Sequence, residues 1–358
     1  MRRLADDTVA GLRSFARRLV DPAAATVAIP AERQEKGYWF GGGNTAQGLD
    51  GRLYISGRYR SAGDSRTGLD LGDRGRELAI FSSSDGGGSW TKVMAFDKAA
   101  VSPDGREALS IEGSAIRFTR DGVELYVSSE KRLPYPGPVE AYEKPGTGVW
   151  SIERLSAPDI EALRGARPLT VVSSADPATL HVKDPFLSEG PDGRLRLFFC
   201  HHPFSWSSSN TGYLEIDAGG TATSQPVFGC YPRGQVWDVA ITRGTCILPL
   251  PESLAPAGTG LVFYDGGECL RNLDEHAKAT KRPRGYSCEE LGGLAYYTDG
   301  DPTAFTRISG LFPEFVSPDG TGCIRYVDVL STDEAWIATW QQSMPDGSQP
   351  LMYNRVKR

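Results

Sequence analysis

Nine Asp-Gly pairs are spread along this chain of 358 residues. They begin at Asp50, Asp85, Asp104, Asp121, Asp192, Asp265, Asp299, Asp319 and Asp346. This dipeptide suits the positive φ values of tight hairpin turns, which join neighbouring antiparallel strands. Short runs rich in β-branched and aromatic residues lie between the pairs, for example at 123–128 and 335–340. From residue 37 onward the pattern therefore predicts an all-β, mostly antiparallel fold.

The first residues follow a different pattern. Apolar side chains from Leu4 to Val20 recur at roughly helical spacing with arginines between them, and Asp21-Pro22 supplies a stop. This predicts one amphipathic helix packed on the outside of the main domain, with a membrane-surface role as the weaker alternative. We therefore expect an N-terminal helical extension over 1–36 and a single β domain over 37–358.

Polar residues next to short apolar segments recur at long intervals. They are Asn44, Glu112, Asp184, Asp238 and Asp328, with successive separations of 68, 72, 54 and 90 residues and a mean of 71. Five units of about this size predict a five-bladed β-propeller, in which each unit supplies one strand to a central channel. A β-sandwich is the alternative, because it also contains many short strands.

The strongest candidate for a channel residue is Asp184, which is followed by Pro185. Proline disfavours the helical region for the preceding residue and lacks an amide donor, so this dipeptide predicts an extended edge strand. The apolar run at 195–202 can pair with one side of that strand. Its other edge then faces the channel, where the carboxylate of Asp184 is expected.

Composition excludes several classes of protein. A hydrophobic content of 39% and a net charge of -6 are typical of a globular protein without the basic face that binds nucleic acid. Neither a membrane-spanning apolar run nor a secretion signal is evident, so a cytoplasmic location is expected. The sequence leaves the oligomeric state open.

Metal chemistry is expected to be limited. The six cysteines have no Cys-x-x-Cys spacing and only four histidines are present, so no transition-metal site and no required cofactor are predicted. Free thiols are the expected state of the cysteines. A calcium ion held in the channel by carboxylates remains an option.

Residues 83–90 match the Asp-box pattern, Ser-x-Asp-x-Gly-x-Ser/Thr-Trp, which recurs in sialidases and other propellers. We expect Asp85 to accept hydrogen bonds from amides of its own turn and Trp90 to pack between sheets. The pattern marks a fold rather than an activity.

Several segments taken together resemble the five-bladed propeller glycoside hydrolases of families 43, 32, 68, 117 and 130. The segments are Ser110 to Ser114, Leu125 to Ser128, Trp150 with Ile152, Val182 to Pro185, Trp237-Asp238, Tyr264 to Gly266 and Arg325 to Asp328. The resemblance implies hydrolysis of a terminal sugar of a glycoside or oligosaccharide by carboxylates from different blades. The first blade departs from family 43, because Asn44 lies near the position of that family's base.

We expect Glu112, Asp184 and Asp238 to be catalytic. Glu112 is followed by Gly113, so its long side chain can reach a glycosidic oxygen as general acid, with its pKa raised by neighbouring carboxylates. Asp184 is expected to orient the sugar or tune a neighbour, and Asp238 to be the base. Asp328 is expected to form hydrogen bonds with the substrate.

Further residues are expected to bind the substrate. Arg58 and Arg60 share a strand face and could clamp an anionic group, although pairing with Asp64, Asp70 or Asp73 is the alternative. The remaining candidates are Asn44, His202, Arg243 and, as stacking platforms for a sugar ring, Trp206 and Trp237.

Two other interpretations stay open. A sialidase-like exo-glycosidase would need three arginines and a tyrosine nucleophile with an acidic partner. The other interpretation is a propeller that binds a glycan or a protein without catalysis, and Asn44 in place of a base favours it.

Overall fold

The structure, a computed structural model, describes residues 2–61, 75–190, 192–268 and 290–358. Five antiparallel sheets surround a central channel, so the predicted five-bladed β-propeller is confirmed. The predicted N-terminal helix is present as α1 (Asp6–Leu19). Short 3₁₀ helices lie at Pro103–Gly105, Gly137–Tyr142 and Ala162–Gly165.

The strands are grouped into blades in chain order. Blade 1 contains β2 (Trp39–Gly41), β3 (Thr45–Gln47), β4 (Leu53–Arg60), β5 (Glu77–Ser83) and β6 (Thr91–Phe96). Blade 2 contains β7 (Ala108–Thr119), β8 (Gly122–Lys131), β9 (Val149–Ala157) and β10 (Leu169–Val172). Blade 3 contains β11 (His181–Glu189), β12 (Leu195–His202) and β13 (Asn210–Ile216). Blade 4 contains β14 (Ile241–Pro249), β15 (Gly260–Gly267), β16 (Leu291–Tyr297) and β17 (Thr306–Arg307). Blade 5 contains β18 (Ile324–Ser331), β19 (Ala335–Gln342), β20 (Leu351–Lys357) and, from the other end of the chain, β1 (Thr26–Ile29).

Blade 5 closes the propeller with strands from both ends of the chain. Strand β1 pairs with β20, with Thr26 opposite Tyr353 and Ile29 opposite Leu351. The expected boundary at residue 36 therefore differs from the structure, because residues 26–29 belong to the propeller. Strand β1 is thereby the outer edge strand of blade 5, and an edge of only 4 residues limits intermolecular strand pairing.

Helix α1 packs against blades 4 and 5 through its apolar stripe. Leu12, Phe15 and Leu19 are buried there, and the rings of Phe15 and Trp336 meet edge to face at 4.9 Å. Arg13 and Arg17 on the next face both contact Glu314. The helix is therefore part of the main core. Within the described ranges no helix is long and apolar enough to cross a membrane.

Eight of the nine Asp-Gly pairs have a glycine with positive φ, as expected for tight turns. The exception is Asp265-Gly266, which lies inside β15. Its aspartate is therefore fixed by a regular strand, and it becomes important at the channel.

The Asp-box hairpin joins β5 to β6. Asp85 accepts hydrogen bonds from the Ser89 amide at 3.0 Å and from the Ser89 hydroxyl at 2.7 Å. Trp90 packs edge to face against Tyr353 at 6.1 Å, and the Tyr353 hydroxyl donates to the carbonyl of Gly86. The loop thus ties blade 1 to blade 5.

The contact of Phe15 with the propeller core gives a test of this architecture. Phe15→Ala should lower the free energy of unfolding by about 3–5 kcal/mol, because it removes a large buried ring and leaves a cavity. Urea denaturation measures the change. Val27→Ala, at a residue of β1 that is 46% exposed, is the control and should change it by less than about 1 kcal/mol. Equal stability of Phe15→Ala and the wild type would show that α1 is not part of the core.

Candidate active site

The strand pairing of all five inner strands is interrupted at one end of the channel. The interruptions lie between Gly41 and Thr45, Ile111 and Ser114, Lys183 and Phe186, Gly244 and Cys246, and Arg325 and Asp328. Such bulges bend a strand and redirect its side chains. The residues inside the interruptions therefore meet around the propeller axis, at what we call the channel mouth.

The channel mouth contains a pocket lined by residues of all five blades. Its cavity volume is about 20 Å³, or about 330 Å³ when the space open to solvent is included. Asp184 of blade 3, Arg243 of blade 4 and Tyr326 of blade 5 line it, together with Gly43 and Ser114. The pocket therefore lies on the propeller axis.

Glu112 lies inside the interruption of β7, two residues before the pocket residue Ser114, and contacts Arg58. Both Nε and Nη2 of Arg58 are 2.8 Å from Oε2 of Glu112. Burial alone would raise the pKa of Glu112, but the charges of Arg58, Lys183 and Arg60 outweigh it and hold this pKa well below its usual range. The expectation that neighbouring carboxylates raise the pKa is therefore wrong, and Glu112 is ionised.

Asp184 is fixed by contacts from three blades. Its Oδ1 accepts a hydrogen bond from the Gly113 amide at 3.2 Å, and its Oδ2 accepts one from Nη1 of Arg243 at 3.0 Å. The ammonium of Lys183 is 3.9 Å from the same Oδ2. The backbone of Asp184 is left-handed, with φ 55°, and not extended as Pro185 had suggested. Aspartate tolerates this conformation better than most residues.

Arg243 connects three carboxylates. Besides Asp184 it contacts Asp265 at 2.7 Å and Glu290 at 3.4 Å, and Glu290 also contacts Arg325 at 2.7 Å. Burial raises the pKa of Asp265 to about 6, although Arg243 opposes the shift. Arg243 lines the pocket, and its role in binding the substrate stays a prediction. Glu290 and the role of Asp265 were missed, because Asp265 lies on β15, outside the inner strand, and Glu290 lies just before β16.

Asn44 has a structural position between blades 1 and 2. Its side-chain oxygen accepts from the Ile116 amide at 2.8 Å, and its side-chain nitrogen donates to the Ile116 carbonyl at 3.0 Å. A carboxylate could form only the first of these hydrogen bonds. The amide at position 44 therefore extends the contact between two inner strands, although Asn44 still lines the pocket.

Asp238 and Trp237 lie away from the channel mouth, in the segment before β14. The carboxylate of Asp238 is fully buried and accepts hydrogen bonds from Arg307 at 2.7 Å and Tyr264 at 3.0 Å. The indole of Trp237 is also buried and donates to the Ser309 carbonyl. The expected roles of Asp238 as base and Trp237 as stacking platform are therefore wrong, because neither side chain reaches the pocket.

Asp328 is the first paired residue after the bulge of β18. It accepts a hydrogen bond from the Thr45 amide at 2.8 Å. It does not line the pocket, whereas Asp184 does. Burial raises the pKa of Asp328 to about 7.

The remaining aromatic and basic candidates lie in different surroundings. Trp206 is partly exposed near the channel mouth, stacked on His181 at 4.2 Å with the Lys183 ammonium 5.5 Å from its ring. Arg60 lies over the ring of Trp39 at 4.6 Å. His202 is buried beside Cys200, with burial lowering its pKa well below the usual range, and is not in the pocket wall. Asp64, Asp70 and Asp73, the alternative partners of the arginines, lie outside the described residues.

The channel mouth does not fit a calcium ion. Calcium needs several carboxylate or carbonyl oxygens that other cations have not already engaged. Here Glu112, Asp184, Asp265 and Glu290 each contact an arginine. In the described part of the chain, no group of three or more His, Cys, Asp or Glu side chains is placed to hold a metal ion. Cys200, Cys230 and Cys246 are free thiols.

Solved structures with this fold are named as glycoside hydrolases. One, described only as a glycoside hydrolase, has a TM-score of 0.65 at 12% identity and covers 99% of this chain and 96% of its own. An endo-arabinase from Bacteroides thetaiotaomicron VPI-5482 has a TM-score of 0.55 at 9% identity, covering 92% of this chain and 97% of its own. A thermostable family-43 glycoside hydrolase has a TM-score of 0.54 at 13% identity, covering 94% and 92%. No protein-family model and no curated protein sequence matches the chain. The resemblance to the propeller hydrolases is thereby confirmed for the fold alone.

The position of Asp328 predicts a pH dependence of stability. Its pKa of about 7 in the folded protein exceeds the ordinary value of 3.8, so the folded state binds the proton more tightly than the unfolded state. The resulting stabilisation is complete below pH 3.8 and is lost as the pH rises to about 7. Relative to Asp328→Asn, which lacks the ionisable group, the wild type should lose about 1.4 kcal/mol per pH unit in that window. Urea denaturation at several pH values checks this, and parallel profiles for the two proteins would contradict it.

Proposed function

We propose that the protein is a glycosidase that removes a terminal sugar residue from a glycoside or oligosaccharide at the channel mouth. The observation that carries this proposal is the convergence of Glu112 and Asp184 from neighbouring blades, with the amide of Gly113 donating to Asp184. Glycosidic cleavage uses carboxylates on either side of the scissile bond, and here Asp184 lines the pocket while Glu112 lies on the neighbouring inner strand.

Glu112 is proposed as the base or nucleophile of the reaction. Its side chain is 12% exposed, whereas those of Asp184, Asp265 and Glu290 are 4% exposed or less. It is therefore the carboxylate at the mouth that a ligand reaches most easily. Its low pKa suits a base or a nucleophile and does not suit the acid role expected from the sequence.

Asp184 is proposed to position the sugar and stabilise the transition state. Cleavage of a glycosidic bond passes through an oxocarbenium-like state, which carries positive charge on the sugar. Ionised carboxylates close to that charge stabilise it, and the contacts with Gly113 and Arg243 hold Asp184 in one orientation.

A second candidate is glycan binding without hydrolysis. One observation favours it: each described carboxylate at the mouth already contacts an arginine, and the carboxyl with a raised pKa, Asp265, is fully buried. None of these four carboxyl groups then supplies a proton to the leaving group. Binding across a glycan panel with no turnover would support this candidate.

Part of what a sialidase-like enzyme requires, three arginines beside a tyrosine, is present at the channel mouth. Arg58, Arg243 and Arg325 all lie within 6 Å of the ring of Tyr326. Each of these arginines, however, contacts a carboxylate of the protein itself. No described carboxylate accepts a hydrogen bond from the Tyr326 hydroxyl, so the nucleophile would lack its partner.

Removal of the Glu112 charge tests the proposed activity. With a panel of p-nitrophenyl glycosides and matching disaccharides, Glu112→Gln should lower kcat/KM by about 10²-fold or more, and by similar factors on both substrate types. The equal loss is expected because a base or nucleophile acts regardless of the leaving group. Azide should restore part of the activity to Glu112→Ala on the p-nitrophenyl substrate.

Glu124→Gln is the matched control, because Glu124 is also buried against arginines, Arg117 and Arg154, but at the opposite end of β7 and β8. Its kcat/KM should equal that of the wild type. A loss confined to the disaccharides would return Glu112 to the role of acid. Full activity of Glu112→Gln on every substrate would reject the proposed site.

A further inference from the structure

Tyr326 has a backbone conformation that bulky residues rarely adopt. Five non-glycine residues in the described ranges have positive φ, and two of them, Asp104 and Asp299, lie in Asp-Gly turns. The other three, Asp184, Trp206 and Tyr326, all lie at or near the channel mouth. For an aromatic residue such as Tyr326, with φ 52°, this conformation is strained and persists only when the surroundings enforce it.

The surroundings hold both the backbone and the ring of Tyr326. Its amide donates to both carboxylate oxygens of Asp265, at 3.1 and 3.2 Å, and Asp265 is in turn held by Arg243. The guanidinium carbons of Arg243 and Arg325 lie 4.4 and 5.3 Å from the ring centroid, and that of Arg58 lies at 5.7 Å. Cations over its faces fix the plane of the ring. Since Arg243 also binds Asp184, the ring keeps a defined position relative to that carboxylate.

The hydroxyl of Tyr326 has no acceptor within the described part of the protein. The residue is only 7% exposed, yet its hydroxyl is not among the polar atoms sealed from solvent, and the residue lines the pocket. The hydroxyl therefore opens into the pocket. Burial and the charge of Asp184 raise the pKa of Tyr326 above its ordinary value, so the phenol is neutral and carries a hydrogen to donate. An almost buried hydroxyl that has no acceptor in the protein gains a hydrogen bond when an oxygen of a ligand enters the pocket.

We infer that Tyr326 is a substrate-contacting residue, which donates its hydroxyl hydrogen to an oxygen of the sugar bound beside Asp184. This inference rests on the proposed function and adds a specific group to it. The strained backbone then has a physical purpose, because it directs the phenol towards the pocket. The buried network of Arg243 and Asp265 keeps it there before the ligand arrives.

Tyr326→Phe tests the inference, since it removes the hydroxyl and keeps the ring between the arginines. On the best p-nitrophenyl glycoside, kcat/KM should fall about 10-fold, the effect of one neutral hydrogen bond. Tm should stay within about 1 °C of the wild type, because the hydroxyl forms no hydrogen bond with the protein. Binding of the released sugar, measured by calorimetry, should weaken by a similar factor.

Tyr231→Phe is the matched control. The hydroxyl of Tyr231 is buried in the core and donates to the carbonyl of Pro302 at 3.0 Å, so this variant should have a lower Tm and unchanged kcat/KM. Unchanged kcat/KM and sugar binding in Tyr326→Phe, with an active wild type, would overturn the inference alone. A lower Tm in Tyr326→Phe would also overturn it by giving the hydroxyl a structural role. A wild type that neither hydrolyses nor binds any glycan would overturn the proposed function and the inference together.

Discussion

The buried guanidinium of Arg243 is the interaction on which the channel mouth depends. It contacts Asp184 of blade 3 and Asp265 of blade 4, and Glu290 extends the network to Arg325 of blade 5. Burying a charge is costly unless opposite charges and hydrogen bonds compensate for the lost water. Here the compensation comes from separate blades, so the charges are satisfied only when the propeller is closed. The site and the closure of the fold are therefore coupled.

Blades 1 and 2 are joined by different means. Arg58 of β4 contacts Glu112 of β7, and the side-chain amide of Asn44 pairs with the backbone of Ile116. A peptide-like contact needs both a donor and an acceptor, which an amide supplies and a carboxylate does not. The chain thus uses the amide at position 44 to join two blades. Among the carboxylates of the channel mouth, Glu112 and Asp184 are the two with the most exposed side chains, at 12% and 4%.

The interruptions of the inner strands explain how a regular sheet yields an irregular site. A continuous strand would direct alternate side chains into the channel and would leave no room for a pocket. A bulge at the same level in each blade turns the backbone, so Asp184 and Tyr326 adopt left-handed conformations close to one another. The strain is maintained by the buried charges, as expected where geometry serves binding or chemistry.

The sequence by itself determined the β-rich architecture, the helix α1 and the proximity of Glu112 to Asp184. These depend on local signals: Asp-Gly turns, helical periodicity and a repeat of about one blade, which the chain carries without reference to distant contacts. The sequence did not reveal that Asp238 contacts Arg307 or that Trp237 is a core residue. The sequence pattern of a polar residue before an apolar run is the same whether that residue faces solvent or pairs with a buried arginine. Glu290 and Asp265 were likewise hidden, since only the folded propeller brings them to Arg243. The tertiary structure also decided the ionisation of Glu112, because a pKa depends on charges such as Arg58 that are distant in the chain.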